Sequence, residues 1–159
     1  MSTQSAETAV NASVVVRAPV ERAFKVFTEE MGSWWPAAHH IIEPELAEMR
    51  FEPWPGGRVY DVGVDGSECD WSRVIAYEPP HRVVLAWCID LNWKPEADPE
   101  RASEIEVRFR AQGEGVTLVE LEHRELQRHG EGWEGLREMF SRPDAWQATL
   151  EALAAALAA

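Results

Sequence analysis

Three histidines stand where imidazole chemistry is conceivable. His39 and His40 follow Trp34-Trp35-Pro36, and His123 keeps the phase of Thr117, Val119 and Leu121 along the alternating segment Val116 to Glu125, which directs it to the apolar side. An inward imidazole must find a hydrogen-bond partner or a ligand. His123 is therefore the candidate polar anchor for a ligand oxygen and the candidate acid–base group; a core histidine bonded to a neighbouring hydroxyl or carbonyl is the competing reading. Three imidazoles would also suit zinc. Adjacent His39 and His40 diverge on most backbones, however, and no Cys or carboxylate stands at ligand spacing beside them, so no metal or other cofactor is expected. Asp61 and Asp70 are further candidate bases. Tyr60 and Asp61 point to opposite sides of one strand, so only one of them faces inward, and an exposed carboxylate is the commoner outcome. Ser33, Ser67, Ser72 and Ser103 lack the G-x-S-x-G setting of a nucleophile elbow. Pro55-Gly56-Gly57 is a hairpin turn without the helix that a phosphate-cradling loop requires.

What surrounds such a polar group is aromatic. The chain has 8 tryptophans, rigid apolar plates with one donor each, suited to a cavity wall and equally to a plain core. Two of them, Trp71 and Trp87, fall in apolar runs joined by Glu78-Pro79-Pro80-His81, where the prolines remove backbone donors and end the strand; this is a hairpin. In its second run Val83, Leu85, Trp87, Ile89 and Leu91 share one side of the pleat. The expected wall of a ligand site is Trp34, Trp35, Trp71, Trp87 and Phe109, with His123 as its polar member.

The balance of 15 Lys+Arg against 28 Asp+Glu, a formal charge of -13, repels phosphate backbones and anionic head groups, so neither nucleic acid nor membrane is an expected partner. No apolar run approaches the roughly 18 residues of a membrane helix. Met1 to Ala9 has neither the basic start nor the apolar middle of a secretion signal and reads as a flexible tail. The two cysteines, Cys69 and Cys88, are too few for a disulfide framework and read as reduced core thiols of a cytoplasmic protein.

The elements that must position these groups follow from periodicity. Val10 to Arg17 is a β-branched strand. Pro19 to about Met31 carries Val20, Phe24 and Phe27 at helical spacing and ends at Gly32, with a short helix or turn over Ser33 to Pro36. Six further strands are predicted: Glu45 to Pro53, with Ala47, Met49 and Phe51 on one side; Arg58 to Val64; Trp71 to Tyr77; Val83 to Leu91; Glu104 to Ala111, with Ile105, Val107 and Phe109 inward; and Val116 to Glu125. Asn92 to Ala102 reads as a long hairpin loop. Trp133 to Phe140 reads as a short helix, and Pro143 onward as an amphipathic helix of about 16 residues bearing Trp146, Leu150, Leu153 and Leu157. An antiparallel sheet with one apolar face must be covered, and the last helix is the long amphipathic element left to do it. The expectation is one α+β domain over residues 10–159 after a tail at 1–9. A curved sheet of seven strands wraps the C-terminal helix and leaves a cavity beneath it.

Val14-Val15-Val16-Arg17-Ala18-Pro19-Val20-Glu21-Arg22-Ala23-Phe24, Trp34-Trp35-Pro36, Pro55-Gly56-Gly57-Arg58-Val59-Tyr60, Asp65-Gly66-Ser67-Glu68 with Trp71-Ser72-Arg73-Val74, and Glu78-Pro79-Pro80-His81-Arg82-Val83-Val84 with Trp87 resemble the SRPBCC superfamily of START-like and polyketide-cyclase-like proteins. Within it the chain is similar to the branch homologous to the activator of the heat-shock protein 90 ATPase, from about residue 10 to 158. The resemblance implies a helix-grip fold with a deep apolar cavity between sheet and C-terminal helix. Ser72 stands where relatives often have glycine, which argues against a bulge there. The extra domain through which eukaryotic activators also contact the chaperone is not in this sequence, so no chaperone partner is expected; a homodimer stays open. The functional expectation is binding of a small, mostly apolar ligand in the aromatic-lined cavity. The alternative is a cyclase, aromatase or hydrolase using the same cavity, with His123 as the acid–base group.

Overall fold

The computed structural model describes residues 8–36 and 45–158. Its strands are β1 (Val10–Val16), β2 (Leu46–Phe51), β3 (Arg58–Gly63), β4 (Glu68–Glu78), β5 (Arg82–Trp87), β6 (Ser103–Gly113) and β7 (Val116–Arg124); its α-helices are α1 (Val20–Glu29), α2 (Trp133–Phe140) and α3 (Ala148–Ala158). The seven strands form one curved antiparallel sheet in the order β1-β7-β6-β5-β4-β3-β2. From β2 to β7 each strand pairs with its neighbour in sequence, whereas β1 crosses to close the far edge on β7, with Val10 opposite His123 and Val16 opposite Thr117.

The concave face holds the core. Helix α1 buries Ala23, Phe24, Val26 and Phe27 against it, and Phe109 of β6 meets Phe24 and Phe27 edge-on with centroids 5.2 and 5.7 Å apart. The face of α3 made of Leu150, Leu153 and Leu157 is buried, and the helix packs on β1 and α1. Each such leucine removed from water contributes about 1.5–3 kcal/mol. On the convex face Glu106 is covered by Arg82, Arg108 and Arg124, with Arg82 Nε 2.6 Å and Arg108 Nε 2.8 Å from its Oε2. Burial pushes its carboxyl up, but the three guanidiniums outweigh burial and hold it at about 2.

Three local expectations are corrected. The C-terminal helix is not continuous from Pro143: a wide π-type turn spans Pro143–Gln147, Ala145 takes the non-helical pair φ -99°, ψ -119°, and regular helix begins at Ala148. In β2 the register shifts between Leu46 and Glu48, which turns Ala47 outward and leaves Leu46, Met49 and Phe51 half-buried. Strand β5 ends at Trp87; Ile89 makes an isolated bridge to Pro95, and a 3-10 turn over Pro99–Arg101 divides the loop beyond. Of the residues expected in the tail, Thr8 and Ala9 are described, and the Thr8 carbonyl accepts from the Leu126 N–H at 3.2 Å.

Candidate functional site

The site begins with a bulge. In the pairing of β3 with β4, Val59 faces Ser72 and the next residue, Tyr60, faces Asp70, so Trp71 is the extra residue on β4. A bulge re-aims side chains. This one buries Trp71 and Ser72 together, whereas the serine at position 72 had argued against any bulge. Across the next pairing Ser72 lies opposite Trp87 of β5, and the Trp71 and Trp87 ring centroids are 5.9 Å apart. Trp35, half-buried at the rim, contacts Trp71 at 5.3 Å; Trp146 of the π-type turn contacts Trp35 at 6.0 Å and Trp87 at 6.4 Å; Phe140 from the end of α2 stacks on Trp146 at 5.4 Å. An aromatic cluster thus joins the sheet to the C-terminal segment.

Three buried polar atoms in this cluster, Trp71 Nε1, Trp87 Nε1 and Ser72 Oγ, have no hydrogen-bond partner among the described residues. Each such group left unpaired costs about 1–3 kcal/mol. Trp34 differs: its Nε1–H donates to the Val26 carbonyl at 2.9 Å, so it ties the segment after α1 to that helix. Phe109, expected beside the indoles, packs with Phe24 and Phe27, and Phe27 in turn meets Trp34.

His123 is fully buried and both ring nitrogens are engaged. Nδ1 accepts from Trp146 Nε1–H at 3.0 Å, and Nε2 lies 2.7 Å from Ser103 Oγ, which lies 2.7 Å from His129 Nε2. The tautomers follow by assignment. Indole is donor only, so His123 carries its proton on Nε2 and gives it to Ser103; Ser103 then donates to His129, whose proton sits on Nδ1. Burial holds His123 well below the usual imidazole range, with the nearby His129 adding to the effect; burial likewise lowers His129. Both imidazoles are neutral at physiological pH.

Ser103 and His129 were not among the expected site residues. Ser103 keeps the inward phase of Ile105, Val107 and Phe109, a readable signal; His129 arrives on the 3-10 turn Leu126–His129, and no periodicity predicts that. His39 and His40 lie outside the described residues, and among those described no group of three or more His, Cys, Asp or Glu could hold a metal ion. Tyr60 and Asp61 are both buried: Asp61 lies in register with Cys69 across the strands, and Tyr60 has the Arg58 guanidinium 3.9 Å from its ring centre. Burial first, then the charges of Asp61 and Asp70, push the Cys69 thiol up to about 11, which makes it an inert core thiol. Asp70 is exposed and ion-paired with Arg58 at 2.6 Å. Both cysteines are free, and Cys88 is only half-buried. No helix among the described residues is long and apolar enough to cross a membrane.

A seven-stranded curved antiparallel sheet, a C-terminal helix on its concave face and a buried aromatic cluster between them define a helix-grip protein of the SRPBCC type. The model of the family described as Activator of Hsp90 ATPase homolog 1-like protein matches residues 17–158, and the chain belongs to that family. Among solved structures it is similar to an anthrahydroquino-gamma-pyrone synthase, Txn09, at 42% identity over 93% of this chain and 97% of that one, with a TM-score of 0.66. It is also similar to CalC of Micromonospora echinospora, a self-sacrificing resistance protein, at 25% identity over 95% and 94% of the two chains and a TM-score of 0.67. The Aha1 dimer of Colwellia psychrerythraea, at 16% identity over 94% and 96% and a TM-score of 0.61, shares the fold. No protein of curated function matches the chain.

Proposed function

We propose that the protein binds a planar, polycyclic aromatic molecule bearing oxygen substituents, held against Trp35, Trp71, Trp87 and Trp146 between the sheet and the C-terminal segment. The observation that carries this reading is the grouping of Trp71 Nε1, Trp87 Nε1 and Ser72 Oγ, each buried without a partner among the described residues. A close-packed core tolerates few such groups, whereas a carbonyl or phenolic oxygen presented by a flat ligand satisfies both indole donors while its rings stack on the indole faces. The similarity to a synthase of a fused aromatic pyrone supports the same ligand class.

The test is a titration with alizarin, a dihydroxyanthraquinone, followed by quenching of tryptophan fluorescence. The double variant Trp71→Phe/Trp87→Phe keeps aromatic surface and loses both donors. It is expected to bind about tenfold more weakly, the equivalent of two ordinary hydrogen bonds. Equal affinity of the variant and the parent would overturn the reading. A second reading, ring closure on the bound molecule with His123 as acid–base group, is favoured by the 42% identity to the synthase over nearly the whole chain. Its signature is turnover of a hydroxyaryl substrate that vanishes in His123→Ala while binding persists. Chaperone activation is not carried over, since the similarity to the Aha1 dimer extends to fold alone.

A further inference from the structure

The chain of bonds from Trp146 through His123 and Ser103 to His129 has a direction fixed at one end by the indole and leads from the aromatic cluster towards the Asp90–Arg101 loop, whose Glu96, Asp90 and Arg101 are the charged groups acting on His129. An ordinary buried histidine needs one or two partners; two histidines sharing one serine, each oriented by it, form a path along which a proton can move without leaving a charge on the inner ring. We propose that this path is a proton relay serving the ligand site, and that Trp146 is a placeholder on His123 Nδ1 which a phenolic hydroxyl of the ligand displaces. The inference rests on the binding reading above.

The ligand O–H donates to His123 Nδ1 in place of the Trp146 N–H; the O–H bond breaks and an Nδ1–H bond forms. The Nε2–H bond of His123 breaks as its proton passes to Ser103 Oγ, and the original Ser103 hydroxyl proton passes to His129 Nε2. His123 and Ser103 end neutral, the ligand ends as a phenolate beside the Trp71 and Trp87 donors, and the positive charge resides on His129. Burial is the largest effect on that charge and opposes it, as does Arg101, while Glu96 and Asp90 favour it. A charge held on His123 itself would sit among Phe140, Trp87 and Trp146, whose rings are 4.7, 5.9 and 5.7 Å from the imidazole. That site excludes an imidazolium, so a proton accepted on one nitrogen must leave from the other. Trp146 can yield its position because it follows Ala145, where the C-terminal helix is already broken by the π-type turn, an irregularity often found at functional sites.

Alizarin is also the probe here, because its visible spectrum reports its own ionisation. With the wild-type protein the bound dye is expected to lose its proton at a pH at least one unit below the free dye, a tenfold drop in proton affinity. In Ser103→Ala, and in His129→Gln, which keeps an amide at the position but cannot take up the proton, affinity for the dye is expected to stay within about threefold while the spectral shift disappears. Trp146→Phe frees Nδ1 and is expected to raise affinity for alizarin relative to anthraquinone, which has no hydroxyl. Dye that binds the wild-type protein and keeps its free ionisation behaviour overturns the relay and leaves the binding reading standing; absence of dye binding removes both. Independently of any ligand, ¹⁵N spectra of the imidazoles must show His123 protonated on Nε2 and His129 on Nδ1. The opposite tautomer at His123 refutes the relay outright.

Discussion

Ser103→Ala removes the one hydroxyl that serves both buried imidazoles. Ser103, His123 and His129 are 0%, 0% and 3% exposed, so water does not readily replace the lost group. The variant strands the Nε2–H of His123 and the Nε2 lone pair of His129, two groups whose unpaired burial costs about 1–3 kcal/mol each, so the expected loss of stability is about 2–5 kcal/mol. For a domain of this size each kcal/mol lowers the melting temperature by about 2–4 °C. Thermal and urea unfolding, followed by tryptophan fluorescence, should therefore show a drop of about 5–15 °C with an unchanged urea m-value. A drop below about 2 °C would refute the reasoning, because it would mean that the serine is not the shared partner of the two rings.

Stability should fall as the pH drops below about 6.5. Both histidines have lowered folded-state values, so the unfolded chain takes up protons that the folded one refuses, and each neutral imidazole costs about 1.4 kcal/mol per pH unit below the unfolded value; urea midpoints measured from pH 7.5 to 5 check this, and a flat profile contradicts it. Glu106→Gln should cost about 2 kcal/mol at pH 7, because the folded state holds this carboxylate against three guanidiniums. Its lowered value means that the contribution is present above about 4.5 and fades as the pH falls towards about 2, so parent and variant should converge in acid. Trp34→Phe should lower stability by about 1 kcal/mol through loss of the bond to the Val26 carbonyl while leaving alizarin affinity unchanged, which separates it from Trp71 and Trp87.

Periodicity carried the architecture a long way. The alternation of Ile105, Val107 and Phe109 and of Val119, Leu121 and His123 places β6 and β7 correctly, because a half-buried strand imposes a period of two on its sequence. It failed where the backbone departs from period: the bulge that turns Trp71 inward beside Ser72, the register shift that turns Ala47 outward, and the π-type turn that sets Trp146 over His123 each add a residue that no repeat announces. Of the expected wall, Trp35, Trp71 and Trp87 assemble with His123, Trp34 meets Trp35 at 5.4 Å while its N–H is spent on the Val26 carbonyl, and Phe109 packs with α1. The partners of His123 were out of reach for a different reason. Ser103, His129 and Trp146 lie 20 residues or more from or on different elements than the histidine they bind or relay to, and long-range hydrogen bonds leave no local trace in composition.

Whether the Trp71 and Trp87 donors take a ligand oxygen is read from the indole N–H region of a ¹H–¹⁵N spectrum recorded during titration with alizarin. The signals of Trp71 and Trp87, assigned through the single Phe variants, should move downfield together at saturation while those of Trp34, bonded to Val26, and of exposed Trp54 stay in place. Saturating dye that leaves the Trp71 and Trp87 signals unmoved would contradict the account.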